Sequence, residues 1–176
     1  MIFFSRSGKK HATCMGVGTG EPPAESRSAP HLALGRAGEE AARNFLVERG
    51  FFPVAVNWRP QGRERGLELD IIGDWDDVLV FVEVKSRRVL TPEWSGSSFE
   101  PDRNAAMSSF TPAKQRRMMR AARHFLSDGE LWERNCRFDL VCVTFFPNGL
   151  RRVEHHVHVI DFDESLGSGN AAWQPW

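Results

Sequence analysis

The chain lacks an excess of either charge: 23 Lys and Arg balance 23 Asp and Glu across 176 residues, for a formal net charge of zero. No global field therefore draws it onto nucleic acid or an anionic membrane, and any such binding has to come from local patches. Cysteine is scarce as well. Cys14, Cys136 and Cys142 have neither an even count nor a metal-like spacing, which argues against a disulfide framework and a zinc site and fits a reducing, cytoplasmic compartment. Also missing is any long apolar run. Met1-Ile2-Phe3-Phe4 turns polar at once, which leaves no secretory h-region and nothing to span a bilayer, so no membrane partner is expected. Gly16-Val17-Gly18-Thr19-Gly20 has no strand before it and no Lys-Ser/Thr after it, so it reads as linker rather than as a phosphate loop.

What is present is a core. Hydrophobic residues make up 41% of the sequence, with 13 Phe and 6 Trp, enough for one domain that folds alone. Ser5 to Pro30 and Ser165 to Trp176 are rich in Gly, Ser, Pro and charge, and neither stretch can bury enough apolar area to order itself. The expected organisation is a disordered extension over 1–31, a domain over 32–163 and a disordered tail over 164–176.

From Leu34 to Glu48 the apolar residues recur at three- and four-residue steps and Gly50 follows, which predicts an amphipathic helix. Glu39 falls at the border of its apolar stripe, placed either to reach onto a packed sheet or to pair with Arg43 in solvent. Phe51 to Trp58 reads as a strand broken at its start by Pro53. A polar connection with Arg59, Arg63 and Arg65 leads to strands over Leu67–Ile72 and Val78–Lys85, giving an antiparallel meander. Leu90 to Phe110 has no period and predicts a long loop, placed to cover whatever lies beside Lys85. Thr111-Pro112 opens a second helix with Met118, Ala121, Ala122, Phe125 and Leu126 on its buried side. Between Pro112 and Leu126 that helix carries Lys114, Arg116, Arg117, Arg120 and Arg123 and no acid, a pattern that suits phosphates and is also met on ordinary solvated helices. Arg137–Phe145 and Leu150–Ile160 make a last hairpin through Pro147-Asn148-Gly149. The order α-β-β-β-α-β-β predicts a mixed sheet flanked by helices, an α/β or α+β domain.

The chemistry concentrates on the central hairpin. With a loop over Asp74 to Asp77, period-two alternation puts Leu67, Leu69 and Ile71 on one face with Val80, Val82 and Val84, and Glu68, Asp70, Glu83 and Lys85 on the other. In that register Glu68 opposes Glu83 with Asp70 diagonal, a crowding of like charges that a divalent cation and Lys85 would relieve. The plainer reading, a wet sheet face carrying surface ion pairs, fits the spacing equally well. His156 and His158, two apart on a strand, form a minor candidate pair of metal ligands with no third partner in view. Cys142 lies in an apolar strand, where a free cysteine is core rather than nucleophile.

Taken in order, Gly35-Arg36-Ala37-Gly38-Glu39-Glu40-Ala41-Ala42, Asn57-Trp58-Arg59, Glu68-Leu69-Asp70-Ile71-Ile72, Phe81-Val82-Glu83-Val84-Lys85-Ser86-Arg87 and Arg137-Phe138-Asp139 resemble the bacterial YraN-like family, over about Leu34 to Asp161. That family is functionally uncharacterised and is similar to the restriction-endonuclease-like PD-(D/E)XK superfamily, close to archaeal Holliday-junction resolvases. The resemblance implies a restriction-endonuclease-like α/β fold with Asp70 and Glu83 as Mg²⁺ or Mn²⁺ ligands. It further implies Lys85 as the residue that positions or deprotonates the attacking water, and Glu39 as a helix-borne carboxylate completing the site. Two departures stand out: Leu67 separates Gly66 from Glu68 where the family runs Gly-Glu-aliphatic-Asp, and the loop after Lys85 is longer than usual.

The combined expectation is a metal-dependent nuclease on DNA, branched DNA among its candidate substrates, with Lys114, Arg116, Arg117, Arg120 and Arg123 holding the backbone. A homodimer is expected if the substrate is two-fold symmetric. The alternative is a nucleic-acid-binding or scaffolding module that keeps the fold and does not cleave.

Overall fold

A computed structural model describes residues 29–62, 66–89 and 108–160. The chain runs α1 (Ala29–Val47), β1 (Phe52–Trp58), β2 (Leu69–Trp75), β3 (Val78–Arg88), α2 (Pro112–Asp128), β4 (Cys136–Phe145) and β5 (Arg151–His156), the expected α/β order. The extension over 1–28, most of the long loop (90–107) and the tail from residue 161 lie outside the described residues, as do the expectations attached to them. The first helix starts at Ala29, five residues before the apolar periodicity begins.

The five strands form one sheet in sequence order. The β1–β2, β2–β3 and β4–β5 pairs are antiparallel hairpin neighbours, whereas β3 and β4 are parallel. The parallel pair follows from its connection, because only a crossover long enough to hold α2 can return the chain to the same end of the sheet. Helices cover both faces. Ala41, Ala42 and Leu46 of α1 pack with Val80, Val82, Val84, Val141 and Val143. On the other side Met118, Ala121, Ala122 and Leu126 of α2 pack with Ile72, Phe81, Phe138 and Leu140. Strands buried on both faces need apolar side chains at nearly every position, which is why the middles of β3 and β4 are continuous buried runs.

Alternation holds along β3, but it breaks in β2 at the position that matters. Ile71 joins the α1-side core while Leu69 joins the α2-side core, so the expected common face for Leu67, Leu69 and Ile71 is not formed. Two local features accompany the break. Asn57, in the partner strand between the pairs Val56↔Ile71 and Trp58↔Leu69, has a φ of 50°. The β2–β3 ladder itself stops at Ile71↔Val82. The edge strand β1 also carries a register shift between Pro53 and Ala55, the place where a proline is tolerated.

The hairpin turn is tighter than the sequence suggests. Trp75 pairs with Val78, leaving only Asp76 and Asp77 in the turn, with φ of 49° and 63°. Positive φ at both central residues is the type I′ pattern, whose twist matches the strands it joins. Its effect is to slide β2 by two residues against the expected register, which preserves the parity of the faces and changes who meets whom.

Close approach of α1 to β3 depends on Gly38. A Cβ built there would lie 1.6 Å from Ser86 Oγ and 2.8 Å from Ser86 Cβ. Since Gly38 immediately precedes Glu39, this contact also sets how near Glu39 comes to the sheet. Gly38→Ala is expected to destabilise the fold by about 1–3 kcal/mol through overpacking, read by chemical denaturation; an unchanged midpoint would show that Ser86 simply rotates away.

Candidate active site

Glu83 sits in the middle of β3, with 2% of its surface exposed. Its neighbour Lys85, two residues on and thus on the same face, donates to Glu83 Oε1 at 2.7 Å. Lys114, in the first turn of α2, places Nζ 2.8 Å from Oε2 as an ion pair outside good hydrogen-bond alignment. The position of Lys114 is fixed locally: Thr111 caps α2, its hydroxyl accepting from the Lys114 N–H at 3.3 Å, and Pro112 follows the cap. A buried carboxylate thus has an ammonium group at each oxygen.

Asp70 completes the pair. Its Oδ2 accepts from the Val84 N–H at 2.8 Å, a side chain standing in for a backbone acceptor where the β2–β3 ladder has ended. This substitution is the physical reason that β2 changes face here: the strand parts from β3 and Asp70 fills the gap. Continuing the observed register sets Asp70, not Glu68, opposite Glu83. Glu68 instead receives Arg59 Nη2 at 2.9 Å from each carboxylate oxygen and belongs to the rim. Burial first, and the Glu83 charge second, push the Asp70 carboxyl up from 3.8 to about 7, opposed by the Val84 N–H and Lys114.

Glu39 is the fourth member. From α1 it accepts a hydrogen bond from Asn57 Nδ2 at 2.9 Å, and its charge adds to those that raise Asp70. Of the two placements open to it in the sequence, the structure shows the one that reaches onto the sheet. Glu39, Asp70, Glu83 and Lys85 are therefore brought together from α1, β2 and β3.

The basic helix divides. Lys114 belongs to the carboxylate cluster, whereas Arg116, Arg117, Arg120 and Arg123 are exposed. The signal was present in the sequence: Lys114 shares its helical stripe with Met118, Ala121 and Phe125, at i+4, i+7 and i+11, so it points to the sheet side of α2. The other arginines fall off that stripe.

Two further buried polar groups are structural by comparison. Asp139, with none of its surface exposed, is held by Arg137 Nε at 3.1 Å, the His158 N–H at 3.1 Å and His155 Nε2 at 2.9 Å. Thr144 accepts from Arg87 Nε at 2.8 Å. The suggested His156–His158 pair does not form, because β5 ends at His156 and His158 has a φ of 55°, which breaks the alternation that would align them. Burial pushes the thiols of Cys136 and Cys142 up to about 11, so both stay protonated at neutral pH and neither is poised as a nucleophile.

Among the described residues no group of three or more His, Cys, Asp and Glu side chains is gathered to cage a metal ion. Mg²⁺ does not require a cage. It is held by one or two carboxylates with water and substrate phosphates completing its shell, and the oxygen donors of Asp70 and Glu83 suit that demand. Folded Asp70 keeps its proton to about pH 7, while an unfolded chain releases it near 4, so its contribution to stability is full below about pH 4 and is lost as pH rises through 7. Asp70→Asn is accordingly expected to leave stability unchanged near pH 4 and to raise it by about 1–4 kcal/mol near pH 8 in chelator. Chemical denaturation at the two pH values checks this, and an equal difference at both would contradict the raised carboxyl.

Comparison with known proteins agrees with this architecture. Residues 38–143, from the glycine that seats α1 to near the end of β4, match the model of the uncharacterised protein family UPF0102. A UPF0102 protein of Nitratidesulfovibrio vulgaris is 40% identical over 144 residues, covering 82% of this chain and 96% of its own. One from Oleidesulfovibrio alaskensis is 34% identical over 205 residues, covering 83% of this chain and 94% of its own. A third, from Lawsonia intracellularis, is 33% identical over 146 residues, with 81% and 96% covered. The resemblance to the YraN-like family is thereby borne out, and the chain belongs to the uncharacterised protein family UPF0102.

Proposed function

We propose that this protein is a metal-dependent nuclease that hydrolyses phosphodiester bonds in DNA. The observation that carries the reading is Glu83. Burying a carboxylate costs several kcal/mol, and pairing in the interior repays that cost only when the geometry is good and hydrogen bonds satisfy the remaining lone pairs. Asp139 has that compensation, with partners from β4 and β5 and from the segment beyond. Among the described residues Glu83 has Lys85 and Lys114, with side chains 35% and 24% exposed, and its Oε2 is left without an aligned hydrogen bond. A carboxylate desolvated beside a second one, with partly exposed cations at its side, supports the reading of a site kept for a ligand.

Asp70 and Glu83 would hold the ion. When bound, Mg²⁺ supplies Lewis-acid stabilisation of a phosphate oxygen and lowers the pKa of a water ligand. The chain's own groups do the rest. Asp70 spends Oδ2 on Val84 and keeps Oδ1 for other partners. Lys85 anchors Glu83 and presents an ammonium group where negative charge would develop on a phosphate. Glu39, oriented by Asn57, adds a carboxylate able to orient water. The exposed arginines of α2 are suited to backbone phosphates, where each contact makes binding weaker as salt rises.

One observation favours the non-catalytic alternative, a nucleic-acid-binding or scaffolding module on this fold. Lys114 occupies Glu83 Oε2, an oxygen that a metal ion would have to share or take over. The readings separate in a cleavage assay on linear, flapped and four-way-branched DNA and on RNA, with Mg²⁺ and with Mn²⁺. The nuclease reading expects cutting by the wild type that falls about 10²-fold or more in Glu83→Ala. Silence from both proteins, with salt-sensitive binding retained, would transfer the assignment to the non-catalytic module.

A further inference from the structure

The exposed face of α2 ends in a cavity that the carboxylate site does not use. Arg116, Arg120, Arg123 and Ser127 stand at i, i+4, i+7 and i+11, and all four are exposed, opposite the buried Met118, Ala121, Ala122 and Leu126. The stripe runs for about 17 Å at 1.5 Å per residue. At its far end Arg120, Arg123, His124, Ser127 and Trp132 line a cavity of about 400 Å³. Trp132 reaches that place because the chain turns back after α2. Gly129 N–H donates to Phe125 O at 3.1 Å and Leu131 N–H to Leu126 O at 2.9 Å, and the indole then packs partly against the α2-side core.

The lining has a definite chemistry. Among the described residues it is lined by two guanidinium groups, an imidazole, a hydroxyl and an indole, with no carboxylate. An inorganic anion would need only the cations, and an apolar ligand only the indole. A ligand that uses both is a flat ring tied to a phosphate, stacked on tryptophan and held by arginine. The volume sets the other limit. It lies at the small end of ligand cavities, a size that suits a single nucleotide. We infer that this cavity binds one unpaired nucleotide of a nucleic-acid strand whose phosphates run along the arginine stripe of α2. The inference rests on the nucleic-acid half of the proposed function and is independent of cleavage. It adds that the preferred ligand carries an unpaired base, about 9–20 Å along α2 from Lys114 at the helical rise.

The test is binding of a fluorescently labelled oligothymidylate to the full chain in chelator, followed by anisotropy beside an abasic oligonucleotide and a duplex of equal length. The thymidylate is expected to bind about tenfold more tightly than either, the value of one base stacked on an aromatic side chain. Trp132→Leu should remove that preference while Trp132→Phe keeps most of it, and Arg123→Glu should weaken binding of the thymidylate and abasic strands alike. Should Trp132→Leu fail to fold, the indole N–H resonance of Trp132, assigned with Trp132→Phe, provides the readout: a shift on adding thymidylate and none on adding inorganic phosphate is expected. Equal binding of thymidylate and abasic strands, or an unmoved Trp132 resonance, would overturn the inference. Loss of cleavage with the preference intact would count against the nuclease reading alone.

Discussion

The burial of one carboxylate in the centre of the central strand is the constraint around which this structure is arranged. Glu83 lies among Phe81, Val82 and Val84 in a strand covered on both faces, and two cations come to it there. Lys85 arrives by alternation along β3. Lys114 arrives because a threonine cap and a proline start α2 where its first turn meets the sheet. The parallel crossover from β3 to β4 is what puts that helix over the α2-side face, so fold topology and site electrostatics have a common cause.

The site also explains the principal irregularity of the sheet. A regular β2 would carry ladder bonds past Ile71 and keep Leu69 on the α1 side. The ladder ends there instead, Asp70 takes the Val84 N–H, and Asn57 in the neighbouring strand adopts a left-handed conformation from which its amide reaches Glu39. The departure from regular pairing therefore sets Asp70 beside Glu83 and turns Asn57 toward Glu39. Asparagine is among the non-glycine residues that adopt the left-handed region most readily, which suits Asn57 to this position.

Much of this was legible from residue patterns and some was not. Period-two alternation correctly put Asp70, Glu83 and Lys85 on a common face, since parity survives a two-residue slip. The slip itself escaped because Asp76-Asp77 lacks the glycine that advertises a type I′ turn, and it misplaced Glu68 into the cluster. On charge alone Lys114 groups with the exposed arginines of α2, although its spacing to Met118 sets it on the sheet side. The partnership of Asp139 with His155 joins residues on different strands, and no local pattern encodes a register between them. The likeness to UPF0102 proteins spans the elements that build the cluster, so the arrangement belongs to the matched region and not to the ends of the chain.

The proposed function turns on whether Glu83 holds a divalent cation. Titration of Mn²⁺ into the full chain, followed by electron paramagnetic resonance, measures this without requiring a substrate. The account predicts saturable binding by the wild type that is lost in Glu83→Gln, with Lys114→Met retaining or strengthening it by clearing Oε2. Absence of saturable binding in the wild type, or equal binding by Glu83→Gln, would contradict it and leave Glu83 as the anchor of a buried ion cluster with no metal to hold.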